Sequence, residues 1–396
     1  MDSSSTKPRT RKPLTGFQSV AGRWAVGGFL GGMVWFSATG QDSLLLQPFV
    51  LPAGATPGAS QLGSFAINIS PGSGLSGNSA ALAAFNRAAA HWVSYFSDPI
   101  TVTISADLTG GFSSANIIGQ TSSSLLQGSY TTVRNAMVSD AVGSSFRAID
   151  AFLPTSGQFS ALLPGPIASV NYSLSGQVLM TKANAKALGF TGLDGLFGVT
   201  DSTIQFNNAF NFDYDNSNGV TPGAIDFETV AAHEIGHALG FISAVDNIDG
   251  SSAAFAVTPT TLDLFRFTNG GANDPTTSAQ FTTAPRDLRP GSDVLFTDTV
   301  SSFRFSTGLT QGDGRQASHW KDDGLTGSYI GIMDPTLPAG LVEPINTADV
   351  KALALIGWNA TVPEPSTWSA TGAMVLFLAN GAWRWHRARR NRSSQP

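Results

Sequence analysis

Residues 233–241 of the chain read His-Glu-Ile-Gly-His-Ala-Leu-Gly-Phe. The apolar residues in and around this stretch have the spacing of a helix over residues 230–240. Asp226 precedes that helix as a candidate N-cap, because its carboxylate can accept hydrogen bonds from the first turn. The sequence therefore predicts a helix that begins soon after Asp226 and ends at Gly240.

The histidines and the glutamate of this helix have the types and spacing of a hydrolytic metal site. Residues four apart share a helix face, so His233 and His237 can direct two imidazole nitrogens toward one Zn²⁺. Glu234 can then accept a proton from a water molecule whose pKa zinc lowers to about 7. The alternative is a chance match on a core helix, which is disfavoured because the chain has only five histidines. The stretch predicts hydrolysis of an amide bond without a covalent enzyme intermediate.

The chain of 396 residues contains no cysteine. This excludes a disulfide framework, a thiolate zinc site, an iron–sulfur cluster and a cysteine nucleophile. Any metal ion must therefore be held by histidine and carboxylate side chains.

The string from His233 to Gly240 resembles the metzincin pattern HExxHxxGxxH up to its glycine. The resemblance implies a sharp turn of the chain at Gly240 beneath the metal, which glycine permits. At the position where most metzincins have their third histidine, this chain has Ser243, whose hydroxyl is a poor zinc ligand. Because catalytic zinc normally has three protein ligands, the third must come from elsewhere.

His319 is the strongest candidate for the third ligand. Of the other histidines, His386 lies in the basic C-terminal tail, and His91 lies on an early predicted helix where a packing or surface role is expected. Asp246 is the rival candidate, since it follows His237 on the chain that leaves the helix, and some metalloproteases use aspartate.

The order of these motifs is similar to that of leishmanolysin-type metzincins. In that family a long insertion separates the helix motif from the third histidine, and a Met-turn follows it. Here the insertion covers residues 242–316, and Met333 follows His319. The resemblance implies that Met333 forms an apolar floor beneath the zinc. Leishmanolysins are rich in cysteine, so the insertion need not fold alike.

The N-terminal 40 residues have the order of a secretory signal peptide. Basic residues precede an apolar stretch over 24–36, which runs into small residues near Gly40. An uncleaved membrane anchor is the alternative.

The other end of the chain, residues 361–396, contains Val-Pro-Glu-Pro-Ser at 362–366. A mostly apolar run over about 368–383 follows, and the chain ends in an arginine cluster. These three parts resemble the PEP-CTERM sorting tail of Gram-negative bacteria. The resemblance implies a short transmembrane helix and processing by an exosortase. It also implies export through the inner membrane to the cell surface or beyond. An ordinary C-terminal anchor is the alternative.

Charge is distributed unevenly along the chain. The formal net charge of the whole sequence is -5, but residues 41–361 contain 12 Lys and Arg against 25 Asp and Glu, which leaves −13. An acidic domain of this kind disfavours nucleic acid as a partner.

The pattern of predicted elements favours an α+β fold. Strands are predicted over 65–69, 100–104 and 202–207, and helices over 79–96 and 122–141, without a regular βαβ alternation. The metzincin resemblance implies a two-lobed zinc protease domain with a mixed sheet, an active-site helix and a Met-turn. The strand over 202–207 is expected to pair with an extended substrate. After a lead-in over 41–60, the domain is expected to span 61–360, with an upper lobe over about 61–240 and a lower lobe over about 241–360.

These features together predict a secreted zinc-dependent endopeptidase. His233, His237 and His319 would bind Zn²⁺, and Glu234 would act as general base and then as proton donor. The expected partners are a protein or peptide substrate, a signal peptidase and an exosortase. The alternatives are a surface protein that binds metal without catalysis and a metal-dependent amidase that acts on envelope material.

Overall fold

A computed structural model describes residues 48–52, 54–58 and 64–361, together with the backbone of residues 33–38. The strands of this part of the chain are β1 (Met33–Ala38), β2 (Phe49–Val50), β3 (Ala66–Pro71), β4 (Thr101–Thr109), β5 (Ile117–Ser123), β6 (Leu125–Ser129), β7 (Ala161–Leu162), β8 (Ser173–Leu174), β9 (Gln177–Thr181), β10 (Ser202–Asn207), β11 (Phe212–Asp213), β12 (Ile225–Asp226), β13 (Ala256–Val257), β14 (Arg266–Thr268), β15 (Arg286–Asp287), β16 (Val294–Thr297), β17 (Ser302–Arg304) and β18 (Thr336–Pro338). The α-helices are α1 (Ser73–Ser76), α2 (Ser79–Tyr95), α3 (Tyr130–Asp140), α4 (Lys182–Ala187), α5 (Leu193–Phe197), α6 (Phe227–Leu239), α7 (Val245–Gly250), α8 (Ser278–Thr283), α9 (Asp323–Thr326) and α10 (Thr347–Leu355).

The largest sheet has the strand order β18-β1-β5-β10-β4-β3. Strands β3, β4 and β10 run parallel, and β5 runs antiparallel to β10. Because β10 is paired with β4 on one edge and with β5 on the other, it has no edge left for another strand. The prediction that an extended substrate pairs with residues 202–207 is therefore wrong. The edge of β5 that faces away from β10 is instead paired with β1.

Two long helices, α2 and α6, pack together and against this sheet. Trp92 of α2 is fully buried, and its indole Nε1 donates a hydrogen bond to the carbonyl oxygen of Ala232 in α6, 2.8 Å away. At the other end of α6, the indole of Trp358 donates to the carbonyl oxygen of Leu239 at 2.9 Å. Two tryptophan side chains thus hold α6 in place through its backbone.

The chain after α6 contains smaller sheets and a second group of aromatic side chains. Strands β14, β16 and β17 form an antiparallel sheet. Phe296 of β16 packs with Phe305 and Trp320, and Phe241, just beyond α6, packs edge-on against the same tryptophan. These contacts belong to one apolar core that also includes the residues of the large sheet.

The described residues form a mixed α/β structure with several small mixed sheets, as an α+β class predicts. The helix predicted over 122–141 is wrong in its first part. Residues up to Ser129 form β5 and β6, and the helix covers only Tyr130–Asp140. Long-range pairing of β5 with β10 and of β6 with β9 determines the conformation of this stretch, and local helical periodicity gives no sign of such pairing.

Most of both predicted sorting segments lies outside the described residues. Strand β1 falls near the end of the predicted signal peptide, and residue 361 is the only described residue of the predicted tail. Within the part of the chain that the structure describes, no helix is both long and apolar enough to span a bilayer.

Candidate metal centre

Helix α6 positions the two histidines of the sequence motif. Asp226 caps it as predicted, since its carboxylate accepts a hydrogen bond from the amide of Thr229 at 3.0 Å. The helix ends at Leu239, and Gly240 follows with φ of 124°, a conformation that side-chain-bearing residues rarely adopt. A Cβ at Gly240 would also lie 2.9 Å from Cδ1 of Ile356. The sharp turn expected at Gly240 is therefore present.

Three histidine side chains converge at one point in the interior. The Nε2 atoms of His233 and His237 are 3.1 Å apart, and they lie 3.2 Å and 3.3 Å, respectively, from Nε2 of His319. All three residues are at most 1% exposed. The structure thus brings together the three histidines predicted from the sequence, although His319 is far from the other two along the chain.

Each imidazole ring is oriented by a backbone carbonyl group at its other nitrogen. Nδ1 of His233 lies 2.6 Å from the carbonyl oxygen of Ile332, and Nδ1 of His237 lies 2.7 Å from that of Phe241. Nδ1 of His319 lies 3.3 Å from the carbonyl oxygen of Gln316. Because a carbonyl oxygen only accepts hydrogen bonds, each Nδ1 carries the proton, and each Nε2 presents a lone pair to the common point.

The spacing and electrostatics of this cluster fit a metal ion. Three nitrogens bound at 2.0–2.1 Å to a tetrahedral ion lie about 3.3–3.4 Å from one another, close to the observed distances. Burial lowers the pKa of His237 to about 4, and burial together with the neighbouring imidazoles lowers the pKa values of His233 and His319. The neutral form, which binds metal, is therefore favoured. The buried cluster can hold a metal ion.

Glu234 lies in a buried pocket formed with strand β5. Its Oε2 accepts a hydrogen bond from the hydroxyl of Thr121 at 2.6 Å, and Oε1 has no hydrogen-bond partner among the described residues. A Cβ at Gly119 would lie 2.8 Å from Oε1, so the glycine allows β5 to approach the carboxylate closely. Burial raises the pKa of Glu234 to about 8, and the hydrogen bond from Thr121 opposes this shift. A cation held by the histidines would favour the ionised carboxylate.

Met333 is buried where the chain returns beneath α6. A Cβ at Gly236 would overlap the sulfur of Met333, so the methionine packs directly against the helix next to His237. The preceding residue, Ile332, provides the carbonyl group that orients His233. The turn that contains Met333 therefore supports the histidine cluster through its backbone as well as its side chain.

Asp349 holds this turn in place. The residue is fully buried, and its two carboxylate oxygens accept hydrogen bonds from the indole of Trp320 at 2.7 Å and from the amides of Ile332 at 2.8 Å and Met333 at 3.3 Å. A fourth donor is the amide of Asn346 at 2.7 Å, within the capping box of α10. This role of Asp349 was not predicted from the sequence, although Asn346 and Asp349 have the Asn-x-x-Asp spacing of a capping box.

Asp246, the rival to His319 as third ligand, and Ser243, which stands where most metzincins have their third histidine, both have other partners in the structure. Ser243 donates its hydroxyl hydrogen to Asp263 at 2.6 Å. The carboxylate of Asp246 accepts hydrogen bonds from the amides of Ala317 at 2.5 Å and Ser318 at 3.2 Å. Asp246 therefore fixes the two residues that precede His319, which makes it a positioning residue for the third histidine.

We expect Asp246→Asn to weaken binding of a divalent metal ion to the histidine cluster by roughly tenfold, as is usual when a group that orients a ligand is altered. An amide cannot accept hydrogen bonds through its nitrogen, so one of the two backbone amides loses its partner and His319 becomes less ordered. Zinc affinity can be measured by competition with a chromophoric chelator.

Asp249→Asn is the matched control for this experiment. Asp249 lies on the same short helix and also accepts two amide hydrogen bonds, from Thr310 and Gln311 at 2.7 Å each. These two residues lie nine and eight positions before His319, whereas Ala317 and Ser318 directly precede it. Equal losses of zinc affinity in the two variants would show that Asp246 acts only through general stability.

Strands β5 and β18 flank one strand position of the large sheet, which we call the groove. Strand β1 fills it, pairing parallel with β5 and antiparallel with β18. In this register Ala38 lies opposite Thr121, the residue that hydrogen-bonds Glu234. Strands β5 and β18 therefore offer backbone hydrogen-bonding groups to one extended segment next to the pocket of Glu234, and in this structure that segment is β1.

Comparison of the chain with known protein families, with curated proteins and with solved structures found no match. A function for this protein must therefore be inferred from the chemistry and geometry of the site.

Proposed function

We propose that the protein is a secreted, zinc-dependent endopeptidase of the metzincin type with a leishmanolysin-like order of ligands. The observation that carries the proposal is the convergence of the Nε2 atoms of His233, His237 and His319 to within 3.1–3.3 Å of one another, with Glu234 next to them on the helix. Three neutral nitrogen ligands and an adjacent carboxylate form the donor set of a hydrolytic zinc site. A purely structural zinc site would not need a carboxylate such as that of Glu234, whose Oε1 has no hydrogen-bond partner among the described residues.

Each residue has a defined task in this proposal. Zinc bound by the histidines supplies a Lewis acid that activates water at neutral pH. Glu234 accepts a proton from the attacking water and then donates it to the leaving amine. The hydroxyl of Thr121 orients the carboxylate through Oε2 and leaves Oε1 available for the proton transfer. The buried surroundings exclude bulk water from these groups.

The substrate of this enzyme would be a polypeptide in extended conformation. Its backbone would pair with β5 and β18 in the groove that β1 fills in the structure. Recognition through backbone hydrogen bonds would place the scissile bond beside Glu234. The substrate side chains further from that bond would contribute little to selectivity.

The proposal includes export from the cell. A signal peptidase would remove residues 1–40, and an exosortase would process the tail over 361–396 at the surface of a Gram-negative bacterium. Cleavage near Gly40 would also remove β1 from the groove.

Metal removal tests the proposed function directly. We expect one zinc ion per chain by elemental analysis, loss of casein cleavage on treatment with 1,10-phenanthroline, and recovery when zinc is added back. Stoichiometric zinc without any cleavage of casein or shorter peptides would support the non-catalytic alternative. Cleavage restricted to envelope-derived amides would support the amidase alternative.

We expect a chain that begins at residue 41 to cleave peptides about tenfold faster than the full chain at low substrate concentration. Removal of β1 frees the edges of β5 and β18, so a larger fraction of the molecules can bind substrate. The comparison requires equal zinc content in both forms. A rate that does not change would mean that β1 does not compete with substrate.

A further inference from the structure

A short 3₁₀ turn, Leu262–Phe265, contains a buried aspartate and is followed by a buried arginine. Asp263 lies within the turn and is 1% exposed, and Arg266, the next residue after the turn, is fully buried. Burying a charged side chain costs free energy unless hydrogen bonds replace its contacts with water. The groups that these two side chains bind are therefore the key to their role.

Asp263 holds part of the chain that leaves helix α6. Its Oδ1 accepts a hydrogen bond from the hydroxyl of Ser243 at 2.6 Å. Its Oδ2 accepts hydrogen bonds from the amides of Ala244 at 2.9 Å and Thr260 at 2.8 Å. One carboxylate thus joins the segment after the helix to the residues just before the 3₁₀ turn.

The same contacts position the carbonyl group that orients His237. That group belongs to Phe241, and its oxygen lies 2.7 Å from Nδ1 of the imidazole. The next carbonyl oxygen along the chain, that of Ile242, accepts a hydrogen bond from the hydroxyl of Thr260 at 2.8 Å. Because Asp263 binds the two residues that follow Ile242, the backbone on the C-terminal side of Phe241 is held against the imidazole.

Arg266 holds the segment that carries His319. Its Nη1 donates a hydrogen bond to the carbonyl oxygen of Ala317 at 3.2 Å, and its Nη2 donates to that of Ser306 at 2.9 Å. The amide of Ser306 donates in turn to the carbonyl oxygen of His319 at 3.0 Å. Ala317 is therefore held through its carbonyl group by Arg266 as well as through its amide by Asp246.

We propose that Asp263 and Arg266 are positioning residues for the metal centre, Asp263 for His237 and Arg266 for His319. The inference rests on the proposed function, because it treats the histidine cluster as the ligand set of a metal ion. Groups that orient a metal-binding imidazole affect metal affinity even though they do not touch the metal. Because both residues belong to one turn and the position directly after it, this turn would couple the positions of two of the three imidazoles.

Replacement of Asp263 tests the inference on the full chain. Asp263→Ala removes the acceptor for two backbone amides, and we expect the zinc affinity of the histidine cluster to fall by roughly tenfold. Asp263→Asn should restore most of this loss, because its oxygen can accept from Ala244 and Thr260 while its nitrogen donates to the hydroxyl of Ser243. Zinc affinity is measured by competition with a chromophoric chelator.

Hydrogen exchange at the imidazole rings separates positioning from general stability. In the zinc-loaded protein labelled with ¹⁵N-histidine, a hydrogen bond to a carbonyl group slows the exchange of each Nδ1 hydrogen with water. We expect Asp263→Ala to speed this exchange at His237 and Arg266→Lys to speed it at His319, with the other ring little changed in each variant. Lysine keeps the charge but has one nitrogen, so it cannot reproduce the two hydrogen bonds that the arginine fork makes.

Asp287→Ala is the matched control. This aspartate is also fully buried, and it accepts hydrogen bonds from the amide of Arg289 at 3.2 Å and from the hydroxyl of Thr268 at 2.9 Å. The control should leave zinc affinity and ring exchange unchanged.

Two outcomes would overturn the inference. One is an equal loss of zinc affinity in Asp263→Ala and Asp287→Ala, and the other is wild-type ring exchange in both Asp263→Ala and Arg266→Lys. Normal zinc binding by the wild-type protein without any cleavage of peptides would instead contradict the proposed function. The losses expected at His237 and His319 would then still support the roles of Asp263 and Arg266.

Discussion

Glu234→Gln should lower kcat/KM for a casein-derived peptide by about 10³-fold without loss of zinc. General acid–base groups contribute about 10²- to 10⁴-fold to hydrolytic rates, and Glu234 is proposed to act in both proton transfers. The amide has almost the same shape as the carboxylate, and its oxygen can still accept the hydrogen bond from Thr121. Its nitrogen, however, cannot accept a proton from water.

The zinc measurement separates a chemical effect from a structural one. Glu234 is fully buried, and the three histidine ligands are oriented by backbone carbonyl groups rather than by this carboxylate. Zinc content should therefore remain stoichiometric in the variant. Undiminished cleavage at full zinc content would contradict the assignment of Glu234 as general base.

Glu228→Gln provides a matched control on the same helix. Glu228 lies in the first turn of α6 and pairs with Arg87 and His91, both at 2.7 Å, away from the histidine cluster. This variant should retain activity within about twofold, since partly exposed ion pairs contribute at most about 1 kcal/mol to stability. A large loss of activity in Glu228→Gln would indicate that α6 does not tolerate a glutamate-to-glutamine substitution even away from the histidine cluster.

The local motif could be predicted from the sequence because its geometry is set within one helix. The i, i+4 spacing of His233 and His237, the cap at Asp226 and the turn at Gly240 depend on residues a few positions apart. His319 was predicted by a different route, because the scarcity of histidine left few candidates. Its convergence with the other two rests on tertiary structure.

The supporting residues could not be predicted in the same way. Thr121 reaches Glu234 from β5, a strand that was not predicted, and its role depends on pairing between strands that are distant in sequence. Asp246 has the right position and chemistry for a ligand, and only the structure shows that its carboxylate binds the backbone before His319. The prediction that residues 202–207 pair with substrate failed for a similar reason. Both edges of β10 are occupied in the sheet, and the strand order cannot be read from the local sequence.

We expect Asp349→Ala to lower the free energy of unfolding of the zinc-loaded protein by about 4 kcal/mol. Each buried donor left without a partner costs about 1–3 kcal/mol, and Asp349 accepts from four donors, some of which water would reach in the variant. The loss can be measured by urea denaturation. Thr347→Ala, at an exposed position in the same first turn, should change stability by less than about 0.5 kcal/mol. A loss below about 1 kcal/mol for Asp349→Ala would show that the turn is held by other contacts.

Asp349→Asn tests whether Asp349 stabilises the protein through its charge and its ability to accept hydrogen bonds or only through its shape. Oδ1 accepts from Trp320 and Met333, and Oδ2 accepts from Ile332 and Asn346, so whichever way the amide lies, its nitrogen faces two donors. We therefore expect asparagine to destabilise the protein nearly as much as alanine. Zinc affinity should fall in both variants, because Ile332 loses the contact that positions its carbonyl group against the imidazole of His233. Wild-type stability in the asparagine variant would mean that Asp349 serves only to fill space, and its proposed role in holding the methionine turn would have to be abandoned.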